Sequence, residues 1–191
     1  PIGLLNNTQS SSHNYKIGFT EYLKNSYINF SAERFNLNYG IPPTSIGHIN
    51  GVDILLLKDS YQVNFQKNIS YLGFNTIDIK FNNIDYVHVE LVNNEKFNNN
   101  ISQIIDSSSY HVSLAKKTEN LKLLLTSNNS TFGIEKNQKQ FKPEGFYLTP
   151  VTNEIQYSIY GFIKKELTSY NLNILSSFRL GYLSIKPGEY I

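Results

Sequence analysis

Lysine and arginine side chains set among amides are the groups in this chain best suited to chemistry, and that chemistry is the gripping of phosphate. Lys136, Lys139 and Lys142 alternate with Asn137, Gln138 and Gln140. One stretch thus offers cations for phosphate oxygens and amides that recognise shape and ribose hydroxyls. Lys116 and Lys117 open a second basic stretch, Lys116-Lys117-Thr118-Glu119-Asn120. Lys164 and Lys165 stand at the entrance of an expected helix, where the dipole disfavours cations; an external phosphate drawn by the exposed amides would account for them. Arg179 can hold a phosphate through two parallel bonds. Lys186 lies beside Pro187-Gly188, where backbone could approach a nucleic acid closely, and Tyr190 could stack on a base. Charge follows the same division. Residues 1–114 carry 7 basic and 9 acidic side chains, and residues 115–191 carry 10 and 6, so the surplus of cations belongs to the second half.

Catalytic constellations are not expected. His13, His48, His88 and His111 are far apart and lack metal-ligand spacing. No Gly-rich phosphate loop or nucleophile elbow occurs. Asp78, Asp85 and Glu90 read as solvated acids on strand faces. The expectation is therefore a non-enzyme with no cofactor, no metal and no small-molecule substrate. Cysteine is absent, which excludes disulfides and thiolate metal sites. No apolar run is long enough for a membrane-spanning helix, so no membrane span is expected. Pro1 to Leu5 lacks the features of a secretion signal and reads as a start left by removal of an initiator Met. The 25 Asn and 21 Ile, against two Ala and two Arg, point to an AT-rich genome, such as an organellar one.

The elements expected to position these residues come from hydrophobic period. Residues 1–43 read as an extension: Asn6 to Asn14 is polar, and Tyr15 to Tyr39 suits either a strand or a helix. A first domain over 44–108 begins with an apolar strand from Val52 to Lys58. A turn at Lys58-Asp59-Ser60 and an alternating strand through Tyr61, Val63 and Phe65 follow. Ile77, Ile79 and Phe81 predict another strand, Asn82-Asn83 a turn, and Tyr86 to Val92 a return strand. Phe97, Ile101, Ile104 and Ile105 have the spacing of a short helix, which Asn94 could cap. A second domain over 109–191 repeats this plan. Tyr110 to Ala115 and Leu121 to Thr126 flank the turn Lys116–Asn120, and Lys136 to Lys142 reads as a loop. Ile155, Tyr157 and Ile159 alternate as a strand. Ile163, Leu167, Tyr170, Ile174 and Phe178 then fall at steps of four, three, four and four, predicting a helix.

The last fifty residues resemble the end of the second domain of the ribosomal protein L-six family, the universal protein six of the large subunit. The likeness is carried by Pro143-Glu144-Gly145, the turn from Pro150 to Asn153, the strand from Ile155 to Ile159, Gly161, Lys164 and an arm from Arg179 to Ile191. Asn50-Gly51 and the strands divided by Asn82-Asn83 extend it more loosely into the first half. The resemblance implies an α+β fold of two tandem small domains, each an antiparallel sheet with a helix packed on one face. It implies a structural constituent of the large ribosomal subunit that contacts rRNA near the factor-binding region, with neighbouring ribosomal proteins as partners. The arm is poorer in Lys and Gly than the family's, which with the AT bias implies a mitochondrial ribosome, or otherwise a bacterial or plastid one. The rival expectation is a β-rich capsid or surface interaction protein, to which Asn-rich loops and abundant Tyr are suited.

Overall fold

The computed structural model describes residues 5–44, 51–91, 110–145 and 150–188. Eight long strands account for most of them: β1 (Ser10–Leu23), β2 (Ser26–Ile41), β3 (Val52–Tyr71), β4 (Phe74–Leu91), β5 (Tyr110–Thr126), β6 (Ser130–Gly145), β7 (Thr152–Leu167) and β8 (Leu172–Pro187). They form one eight-stranded sheet in the order of the chain. Every neighbouring pair is antiparallel. Among the described residues there is no α-helix, and the only helical element is one 3-10 turn at Thr168–Tyr170.

This corrects the expected α+β architecture of two sheet-plus-helix units. The predicted helix from Ile163 to Phe178 is the end of β7, a turn and the first half of β8. Its spacing misled for a definite reason. A step of four residues keeps a side chain on one face of a helix and equally on one face of a strand. The one odd step, Leu167 to Tyr170, falls across the hairpin turn, where Asn171 adopts a left-handed conformation at φ 49°. The helix expected over Phe97 to Ile105 lies outside the described residues.

Other expected breaks are absent as well. Asp59 lies inside β3, Asn82-Asn83 inside β4, Lys116–Asn120 inside β5 and Lys136–Lys142 inside β6. Turn-forming polar residues favour a turn when the alternative leaves them unpaired. Here adjacent strands put polar residues opposite them. Asn82 faces Gln62 on one side and Asn120 on the other. Asn120 in turn donates to Glu135 at 2.8 Å. The strands therefore run on to 14–20 residues, well beyond the usual ~5–6. Tyr15, Ile17 and Phe19 belong to a strand, β1, which resolves the ambiguity of that stretch. Hydrogen bonding between β4 and β5 carries the sheet across residues 92–109 without a break in strand order.

Connections differ at the two ends of the sheet. At one end the turns are short: Lys24-Asn25, Leu72-Gly73, Ser127 to Asn129, and Thr168 to Asn171. Leu72 and Gly73 both have positive φ, 49° and 80°, as a two-residue turn matched to strand twist requires. At the other end the strands are joined by longer stretches of chain, 42–51, 92–109 and 146–151. Close to that end lies the apolar core, Leu55, Val89 and Leu91 with Val87 against them. Val52, Ile54 and Val112 are buried beside it. Asn7 ties the same end together, its amide donating to the carbonyls of Ile41 and Val52 at 2.9 Å each. Gly40 is needed there because a β-carbon would come within 2.4 Å of the Asn7 side chain.

Candidate interaction surface

Antiparallel register places directly opposed residues on one face, so the pairing assigns every strand residue to a side. In the half of the sheet nearer the short turns, one side is apolar. It carries Tyr15, Ile17 and Phe19 on β1, then Ile28 and Phe30 on β2. Val63 and Phe65 on β3 and Ile77, Ile79 and Phe81 on β4 continue it. Leu121, Leu123 and Leu125 on β5 and Phe132 and Ile134 on β6 follow. Tyr157, Ile159 and Ile163 on β7 and Ile174, Phe178, Leu180 and Tyr182 on β8 complete the band. The opposite side presents Asn64 and Gln66, Asp78 and Lys80, Asn120 and Lys122, Glu135 and Asn137, and Ser158. Apolar residues also stand on that side, Leu124 on β5, Phe162 on β7 and Leu175 and Leu183 on β8.

On β6 and β7 exposure runs opposite to that of a water-soluble sheet, while on β3 to β5 both sides are mostly half-buried. Ile134 and Ile159 face each other and are each 54% exposed, while Ser158, beside Ile159, is 2% exposed. The side chain of Glu135, next to Ile134, is only 21% exposed. Polar groups are shielded because they cover one another. Lys139 pairs with Glu154 at 2.7 Å, and Arg179 reaches Glu135 at 3.4 Å and the hydroxyl of Ser158 at 3.1 Å. The Tyr160 ring lies over Gly133, where a β-carbon would come within 2.3 Å of it. Lys122 and Arg179 approach that ring at 5.3 and 5.6 Å from its centroid, within range of attraction to its negative face. On the apolar side Phe178 covers Gly161 in the same way, and an aromatic laid across a strand glycine restores contacts the glycine lacks.

A charged row borders the apolar band on the side away from the turns. Arg34, Asp59, Asp85 and Lys117 stand opposite one another on successive strands. Arg34 binds Asp59 through two bonds of 2.7 Å, and the carboxylate holds the guanidinium's proton more tightly than usual. Lys117 also pairs with Glu119 at 3.1 Å.

The basic residues singled out in the sequence do not form one patch. Lys117, Lys136, Lys142, Lys165 and Lys186 belong to the side bearing the apolar band, and Lys116, Lys139, Lys164 and Arg179 to the other. Lys117, Lys139, Lys164 and Arg179 are engaged with carboxylates. The Lys164 contact with Glu166 holds that carboxyl below its ordinary range. Lys164 and Lys165 sit within β7, so no helix entrance surrounds them. Tyr190 lies outside the described residues. His88 approaches Glu90 at 3.7 Å, and no metal-binding group of His, Asp or Glu occurs among the described residues. Sequence reasoning missed the two-faced sheet. Its signal was present as alternation through Tyr157, Ile159 and Phe178, Leu180, Tyr182, interrupted elsewhere by Leu124, Leu175 and Ser176.

Together these features define a class: an up-and-down antiparallel meander with an apolar band on one side and paired polar residues on the other. Neither the known protein-family models nor the curated proteins contain a match to this chain.

Proposed function

We propose that the chain forms part of the wall of a membrane β-barrel, with the apolar band against lipid and the opposite side toward a polar interior. One observation carries this reading: on β2, β6 and β7 apolar side chains are exposed where their polar neighbours are shielded. Such an arrangement is unfavourable in water, because contiguous apolar surface of this extent is rarely left uncovered. It is the normal state in a bilayer, where strands alternate apolar-out and polar-in. Short turns at one end and longer connections at the other agree with it. The band spans Ile155–Ile163 on β7 and Leu172–Tyr182 on β8, close to the ~9–11 residues a tilted strand needs to cross. On β3 to β6 it is narrower, bounded by Lys67 and Lys136; long lysine stems carry their charge toward the interface. No helix among the described residues is long and apolar enough to cross a membrane, so spanning would fall to the strands.

The role is structural rather than catalytic. An rRNA-contacting role drew its support from a terminal strand, helix and basic arm. That segment is instead two paired strands, with its cations divided between two sides. A surface protein whose apolar side is covered by another protein is the second reading, favoured by the tyrosines in the band. Flotation separates the two. Refolded with phosphatidylcholine vesicles, the chain is expected to rise with the lipid and remain there after a urea wash. Recovery as a monodisperse species in detergent-free buffer sinks the lipid reading.

A further inference from the structure

Among the described residues β1 and β8 are each hydrogen-bonded to one neighbouring strand only, which leaves two long edges. Such edges are avoided in proteins exposed to water and are ruled out in the hydrocarbon of a bilayer. We infer that the two edges pair with one another, closing the sheet into an eight-stranded barrel with Ile17 opposite Ser176. The inference rests on the lipid-facing reading, and three observations argue for it.

An even number of strands brings β8 back antiparallel to β1, so the edges are compatible. The apolar band, moreover, is not level with the hydrogen-bonding rows. Straight rows connect Ile17 through Ala32, Tyr61, Asn83, Glu119, Gln138 and Ile155 to Ser184. The band instead drifts toward the short turns, centred near Ile17 on β1, Val63 on β3, Leu123 on β5 and Phe178 on β8. That is a drift of about six residues across seven strand steps. At ~3.3 Å per residue and ~4.8 Å between strands, the slope is roughly 30°, near the ~35–45° tilt of closed barrels. A level lipid boundary on tilted strands produces this drift.

One further step of the same slope returns the band to β1 about seven residues out of flush, and since facing residues must share a side the offset is six or eight. Six sets Thr20 against Leu175, whereas eight places Ser176 beside Ile17 and Asn173 beside Thr20. In that register Tyr15 meets Phe178 and Phe19 meets Ile174 on the lipid side. Asn14 meets Arg179 and Thr20 meets Asn173 on the interior side. Like meets like at these four pairs, and the band becomes a closed ring.

The absence of cysteine makes the test clean. The pairs Ile17→Cys with Ser176→Cys, and Ile17→Cys with Ser184→Cys, are introduced separately into the chain refolded with phosphatidylcholine vesicles and oxidised. Opposed strand residues lie within disulfide reach, whereas an eight-residue offset separates them by about 25 Å. The expected result is an intramolecular cross-link for the first pair, at least tenfold more abundant than for the second. Cross-linking only between chains, or mainly at Ser184, overturns the closure, as does no cross-link in either pair. Flotation without a cross-link leaves the lipid reading standing and rejects the ring. A Ser176 cross-link in chain that fails to float supports the ring and rejects lipid.

Discussion

The two ends of the sheet are built on opposite solutions to the same problem. Near the long connections, Val52, Ile54, Leu55, Val89, Leu91 and Val112 are buried. That end is an ordinary hydrophobic core, stabilised by removal of apolar surface from water. Near the short turns, Ile163, Ile174 and Phe178 are about half exposed. There the hydrogen-bonded rows and the covered polar network hold the strands, and apolar side chains add little until something non-aqueous covers them. On the proposed reading, a single sheet is water-adapted at one end and lipid-adapted at the other, with the row Arg34–Asp59–Asp85–Lys117 as the boundary on β2 to β5.

The sharpest way to break the comparison is to cut side chains at both ends. Leu55→Ala should cost ~2–5 kcal/mol through loss of burial and the cavity left behind, read as a fall in urea midpoint. In phosphatidylcholine vesicles Ile159→Lys should cost ~2–4 kcal/mol, and Gln156→Lys on the opposite side less than about 0.5 kcal/mol. Equal costs at the two positions would remove the lipid-facing character of that end. Gly133→Val sharpens the polar side: a branched side chain displaces the Tyr160 ring, and ~1–3 kcal/mol is expected. Gly133→Val combined with Tyr160→Ala should recover part of that loss. Smaller still, Arg34→Ala should cost at most about 1 kcal/mol, since the guanidinium side chain is more than half exposed, and added salt should erase the difference.

The last prediction concerns pH. Burial, and then the neighbouring Tyr39, push the Tyr86 hydroxyl above its ordinary value. A group held neutral in the fold contributes stability that is complete below its unfolded value. That stability is lost as pH rises through the raised folded value. An alkaline decline in stability is therefore expected above pH ~10, and Tyr86→Phe should reduce it. An identical decline in the variant would assign the effect to other groups.

Much of the strand content was legible. Tyr61, Val63 and Phe65, then Ile77, Ile79 and Phe81, and Ile155, Tyr157 and Ile159 alternate plainly, and each lies in a strand. The turns were harder. Lys58-Asp59-Ser60 and Asn82-Asn83 have turn composition but find polar partners on flanking strands, and local chemistry carries no record of those partners. The basic residues were visible as types, yet their division between two sides depends on register.

By itself the chain determined that its segments alternate in polarity, that no thiol chemistry is available and that its cations concentrate late. Whether alternation at steps of four became helix or strand was decided by the sheet, because only neighbouring strands supply the hydrogen bonds that make a strand the better choice. Which side faces outward was decided there too. A side chain's exposure depends on what its neighbours across the strands cover, and that is a property of the assembled sheet.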